Sequence, residues 1–101
     1  MPNLEELKNK YGTIHELTVP LDEDGNKTAT IYLRKLDRKT YQAASKVIQR
    51  DELDGAEVLI KNLWVDGDDV KTIIDNFDAL RAASIQLVKL LTPFEGSLKK
   101  V

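Results

Sequence analysis

The sequence predicts an α+β fold, with an N-terminal β-hairpin packed on a bundle of three to four α-helices. Three observations predict it. Two runs of alternating polarity flank Asp24-Gly25-Asn26, the pattern of paired strands around a tight turn. From Asp37 onward apolar residues recur every three or four positions, the period of an amphipathic helix. The chain has 101 residues, which suits one modest core, so residues 1–101 form one domain. Within it, 1–12 is an N-terminal helical arm, 13–36 the β-hairpin, 37–92 the helical part and 93–101 a tail.

Residues 2–10, PNLEELKNK, form a short helix capped by Asn3, with Leu4 and Leu7 on one face. Gly12 is available for its left-handed end. In the first strand, Ile14, Glu16, Thr18 and Pro20 lie on one side and His15, Leu17, Val19 and Leu21 on the other. In the second, Thr28, Thr30 and Tyr32 alternate with Ala29, Ile31 and Leu33. Pro20 has no N–H to give to a ladder and marks a strand end or edge. A lone hairpin is marginal in water, so it must pack on the helices that follow.

Asp37 caps the next helix, where Tyr41, Ala44, Val47 and Ile48 make the apolar stripe. A further helix begins at Asp51-Glu52-Leu53-Asp54, its acidic start suited to the helix dipole. Ala56, Leu59, Ile60, Leu63 and Trp64 form its inner face. Asp66-Gly67-Asp68 interrupts it, and Val70–Ile74 makes one short turn. Asn76 or Asp78 opens a last long helix containing Leu80, Ala83, Ile85, Leu87, Val88 and Leu91, which Pro93 stops. That helix is apolar on more than one face, which points to self-association.

Composition narrows the function classes. The chain is 42% hydrophobic and 32% charged with a net charge of −2, so no general nucleic-acid surface is indicated. It has no cysteine, which excludes disulfides, thiolate metal sites and a cysteine nucleophile. The start MPNLEELKNK is polar, unlike a secretory signal, and no apolar run approaches the ~18–20 residues that span a bilayer. The expectation is an intracellular protein without membrane contact.

No cofactor, metal or catalytic site is expected. Neither Asp66-Gly67-Asp68-Asp69 nor Asp22-Glu23-Asp24-Gly25 has the glycine and glutamate spacing of a calcium loop. Both read as solvated turns with the aspartates facing water; in the first, Gly67 takes a positive φ and an aspartate caps the next helix. His15 is the single histidine and has no partner by spacing, and Ser45, Ser84 and Ser97 lack a nucleophile context. Glycines at 12, 25, 55, 67 and 96 build no phosphate loop. The basic stretch LRKLDRK, residues 33–39, reads as a strand-to-helix junction, with no aromatics interleaved for stacking on nucleic acid. Trp64 reads as packed inward, with the role of a partner anchor as the other possibility.

The order of features carries a resemblance. A hairpin ends in IYLRKLDRKTYQAA, then come AEVLIKNLWVDGDD, an acidic spacer and FDALRAASIQLVKLL. Over roughly residues 14–92 this resembles the tail assembly chaperones of long-tailed bacteriophages and prophages. Leu36-Asp37 stands where a proline is frequent in that family. The resemblance implies a non-enzymatic role in the bacterial host cytoplasm. The chain would bind the long helical tape-measure protein and assist tail tube assembly, with the tail tube protein as a second partner. It also implies an extended product made by frameshifting, for which an A-rich run encoding Lys99-Lys100 is a candidate. The positions expected to meet the partner are Tyr41, Leu63, Trp64, Phe77 and Leu87. Two other readings remain: a structural virion component, such as a connector or ring subunit, and a small dimeric DNA-binding regulator using residues 34–39.

Overall fold

The computed structural model describes residues 3–91 and 97–100, and its fold is α+β. Helix α1 spans Leu4–Tyr11. Asn3 caps it by accepting from the Glu6 N–H at 3.2 Å, and Gly12, at φ +83°, ends it with an N–H donated to Lys8 O at 2.8 Å. None of its residues is buried, so α1 is an arm on the surface.

Strands β1 (Ile14–Pro20) and β2 (Thr28–Arg34) pair antiparallel, with Leu17 opposite Ile31 and Val19 opposite Ala29. The alternation sends Leu17, Val19, Ala29, Ile31 and Leu33 into the core. The other face carries polar cross-strand pairs: the Thr18 and Thr30 hydroxyls lie 2.9 Å apart, and Glu16 sits opposite Tyr32.

Helices α2 (Arg38–Ile48) and α3 (Glu52–Leu63) form a close antiparallel hairpin. Asp37 caps α2 by accepting from the Thr40 N–H at 2.7 Å. Asp51 caps α3 through Leu53 and Asp54 N–H at 2.9 and 3.1 Å. Gly55 lets the two helices approach, since a methyl there would overlap the Ile48 side chain. The buried edge of α2 is Thr40 and Ala44, with Ile48 half-buried; Tyr41, predicted on the apolar stripe, stands off that edge and is exposed.

The structure corrects the sequence reading after Leu63. Trp64 is not helical: it begins a third strand, β3 (Trp64–Gly67), which pairs antiparallel with β2. The sheet is therefore three-stranded, in the order β1-β2-β3, and a strand lies where a helix end and the turn Asp66-Gly67-Asp68 were expected. Four residues are too few to display an alternating pattern, and β3 forms only because β2, distant in sequence, offers it an edge. The pairing requires Gly67. At φ +101° it crosses β2 so closely that a Cβ would lie 2.6 Å from Thr30 O and 2.8 Å from Ile31 Cα. Asp68 completes the ladder: its N–H donates to Thr30 O at 2.9 Å and its carboxylate accepts from the Thr30 N–H at 2.8 Å.

Asp69 caps the short helix α4 (Val70–Ile74) through the Lys71 N–H at 2.9 Å. Helix α5 (Phe77–Leu91) starts at Asn76, whose amide oxygen accepts from the Ala79 N–H at 3.1 Å. The Asn76 amide nitrogen donates to Leu21 O at 2.9 Å, which ties the start of α5 to the end of β1. Pro93, predicted to stop α5, lies outside the described residues. The core gathers the inward sheet residues, Leu59, Ile60 and Leu63 of α3, Ile73 of α4, and Leu80, Ala83 and Leu87 of α5. Burying each large aliphatic side chain contributes on the order of 1.5–3 kcal/mol.

Two predictions follow from these contacts. Gly67→Ala is expected to lose more than ~1 kcal/mol in urea unfolding, because the backbone conformation and the contact with β2 both oppose a side chain. The second concerns Asp37, whose carboxyl is lowered from 3.8 to about 2 by the Thr40 N–H and then by the Arg34 guanidinium. A carboxyl depressed on folding stabilises the native state above its unfolded pKa, and that contribution disappears as pH falls from about 4 towards 2. The thermal midpoint of the protein should therefore drop more steeply over that window than that of Asp37→Asn, which keeps a capping oxygen without the charge. Parallel curves for the two proteins would show that Asp37 contributes nothing to the acid response.

Candidate functional site

Of the five positions expected to meet a partner, the structure exposes three. Tyr41 on α2 is 45% exposed, Trp64 at the start of β3 is 40%, and Phe77 at the start of α5 is 62%. Leu63 and Leu87 are corrected: at 0% and 2% exposure they are core. Leu63 ends the inner face of α3. Leu87 follows Leu80 and Ala83 on the edge of α5 that meets α3 and β1.

Helix α5 carries two apolar stripes about a third of a turn apart. Leu80, Ala83 and Leu87 face inward, while Phe77, Arg81, Ile85 and Val88 follow one another at helical spacing on the outside. Ile85 is 64% exposed. The Arg81 guanidinium lies 5.6 Å from the centre of the Phe77 ring, so the one charged member of the outer stripe is drawn over its aromatic neighbour. Ile85 and Val88 were absent from the expected partner positions. The signal for them was in the sequence, as a last helix with more apolar residues than one buried face accommodates.

Trp64 does not pack inward as expected. Its indole N–H donates to Asp68 O at 3.0 Å, which lays the ring along the β3–α4 turn. There it borders a shallow groove of about 370 Å³ with Gly67, Asp69 and Val70. The turn is as expected in two respects, Gly67 at positive φ and Asp69 capping α4, whereas the bond from the Asp68 carboxylate to β2 was not foreseen. One carboxylate oxygen of each of these two aspartates accepts a backbone N–H, and among the described residues no three His, Asp or Glu side chains form a metal-holding group.

Two grooves flank α5. One, of about 360 Å³, lies between its first half and the hairpin loop, lined by Pro20, Asp22, Glu23, Asp78, Arg81 and Ile85. The other, of about 320 Å³, lies between its second half and β1, with His15, Leu17, Thr18, Gln86, Lys89 and Leu90 on its walls. The first wall is acidic and the second carries Lys89. Glu16 also borders the second groove and sits opposite Tyr32, where burial and then the nearby Glu16 carboxylate raise the Tyr32 phenol above its ordinary 10.0.

The remaining candidates are placed as follows. Ser84 is buried and donates its hydroxyl to Arg81 O at 2.7 Å. In the basic stretch, Arg34 bonds Asp37 Oδ2 at 2.6 Å and Asn62 O at 2.9 Å, which joins β2 to the start of α2 and the end of α3. Lys35, Arg38 and Lys39 are exposed, as are Lys99 and Lys100. No helix among the described residues is long and apolar enough to cross a membrane. Compared with protein-family models, with curated proteins and with solved structures, the chain matches none.

Proposed function

We propose that this chain is a non-enzymatic binding module that covers an apolar helical stripe on a larger partner. In the specific form that the order of its features suggests, it is a phage tail assembly chaperone. It acts in the bacterial host cytoplasm on the tape-measure protein and brings tail tube subunits to it. One observation carries the binding role: the outer stripe of α5, where Phe77, Ile85 and Val88 stand exposed on a helix whose inner stripe already fills the core. Tyr41 and Trp64 extend the exposed apolar surface on other elements. The chaperone assignment itself rests on the sequence resemblance.

The physics suits the task. A long amphipathic helix without its assembly partners exposes apolar surface and aggregates. A preformed helix face can lie along such a stripe, and many weak contacts on one long partner add up through avidity.

The test is affinity capture of the tagged protein from cells that express it naturally, with mass spectrometry of the captured material and of purified particles. A very long helical protein should be captured, and the tagged chain should be missing from finished particles. Phe77→Gln with Ile85→Gln should cut that recovery about tenfold, the loss expected when two exposed anchors are removed, with the thermal midpoint unchanged. Presence of the chain in finished particles would instead make it a structural subunit. Undiminished capture by the double variant would place the contact elsewhere.

A further inference from the structure

We infer that, when no larger partner is bound, the outer stripe of α5 is covered by α5 of a second copy of this chain, running antiparallel to the first. The inference rests on the reading of that stripe as a helix-docking surface and names its occupant in the free protein.

The argument is the distribution of charge beside the stripe. Asp78 and Lys89 are both exposed, and by helical spacing they fall on the same flank of the Phe77–Arg81–Ile85–Val88 row, three turns apart. Across an antiparallel helix pair, a flank faces the same flank of the other helix with its ends exchanged. Laying Phe77 on Val88 of the second copy also lays Arg81 on Ile85 of the second copy. In that register Asp78 meets Lys89 of the second copy, and by symmetry the contact occurs twice. A parallel pair would instead set like charge level with like.

The surroundings reinforce the match. Asp22 and Glu23 of the hairpin loop stand beside Asp78, so the acidic end is broader than one residue. At the other end Lys89 donates to Gln86 at 2.9 Å and keeps further N–H groups for a carboxylate. Among the described residues neither Asp78 nor Lys89 takes part in an ion pair within the chain. The two Arg81 side chains would lie near the two-fold axis. The contact with Phe77 draws each guanidinium away from that axis, and its aliphatic stem can cover Ile85. The helix has 15 residues and is about 22 Å long, so the pair is small and reversible.

The test is sedimentation of the purified full chain over a concentration series. The protein should dimerise. Asp78→Lys and Lys89→Asp should each weaken the dimer about tenfold, because attraction becomes repulsion at two symmetric sites, and the double swap should restore it. Equal dimerisation by all four proteins, or a chain that stays monomeric, overturns the inference. Thermal unfolding checks that each variant folds. The cysteine-free sequence allows a second measurement if one does not. Asp78→Cys and Lys89→Cys chains mixed under mild oxidation should form the mixed disulfide. Each residue lies roughly 16 Å along the axis from its own counterpart, too far for a like disulfide. Predominant like disulfides overturn the antiparallel arrangement. A monomer that still captures its long partner refutes self-pairing alone, whereas a dimer that captures nothing refutes the functional reading alone.

Discussion

The passage of Gly67 across β2 is the contact on which the rest of the molecule depends. Without it β2 would be the edge of a two-stranded ribbon, which is marginal in water. With it, β2 is paired on both sides, and its inward residues Ala29, Ile31 and Leu33 become the centre of the core. The contact also fixes what precedes and follows it. Helix α3 must stop at Leu63 so that the chain can extend into β3, and the Arg34 bond to Asn62 O satisfies a carbonyl at that helix end. After Gly67, Asp68 holds Thr30 and Asp69 starts α4. The direction in which the chain leaves the sheet towards α5 follows from that one close approach.

The parts of the fold that were legible in the sequence are those set by local chemistry. Asn3 and Asp37 cap the helices expected of them, Asp51 caps the helix whose acidic start was expected, and Asn76, one of two expected openers, caps the last, because a short polar side chain before an apolar period satisfies N–H groups within its own turn. The hairpin was legible because both strands alternate over seven residues. Strand β3 was not, because its four residues have no period and its partner lies more than thirty residues away in sequence. The same limit explains Trp64. Leu59, Ile60, Leu63 and Trp64 read as one helical face, and only the pairing with Leu33 turns the last of them out of the helix.

The candidate site was legible as a kind of surface and misassigned in its members. Phe77, Tyr41 and Trp64 are exposed; Leu63 and Leu87 are not. Apolar periodicity says that a residue faces something but does not say whether that is this chain's core or another molecule. On α5 both answers occur on one helix, and the sheet decides between them. With β1 and α3 packed on Leu80, Ala83 and Leu87, Phe77 and Ile85 are left exposed among the described residues.

This division of α5 gives the proposed function its energetic shape. The inner stripe is held by the fold, so the outer one is presented on a rigid element, and a partner helix pays little to order it. Four turns of helix nonetheless offer few anchors, and a contact of that size is weak by itself. A weak, preorganised contact suits a task in which many copies coat one long helix and must later leave it: each copy departs readily, while the whole coat persists through avidity. Self-pairing over the same stripe fits this scheme thermodynamically. It hides the apolar row while the chain is free. It also lowers the apparent affinity for an isolated helical segment, because the dimer must first open. A long partner with repeated stripes offers contacts to many copies at once, and that multiplicity is what can outcompete a small two-fold pair.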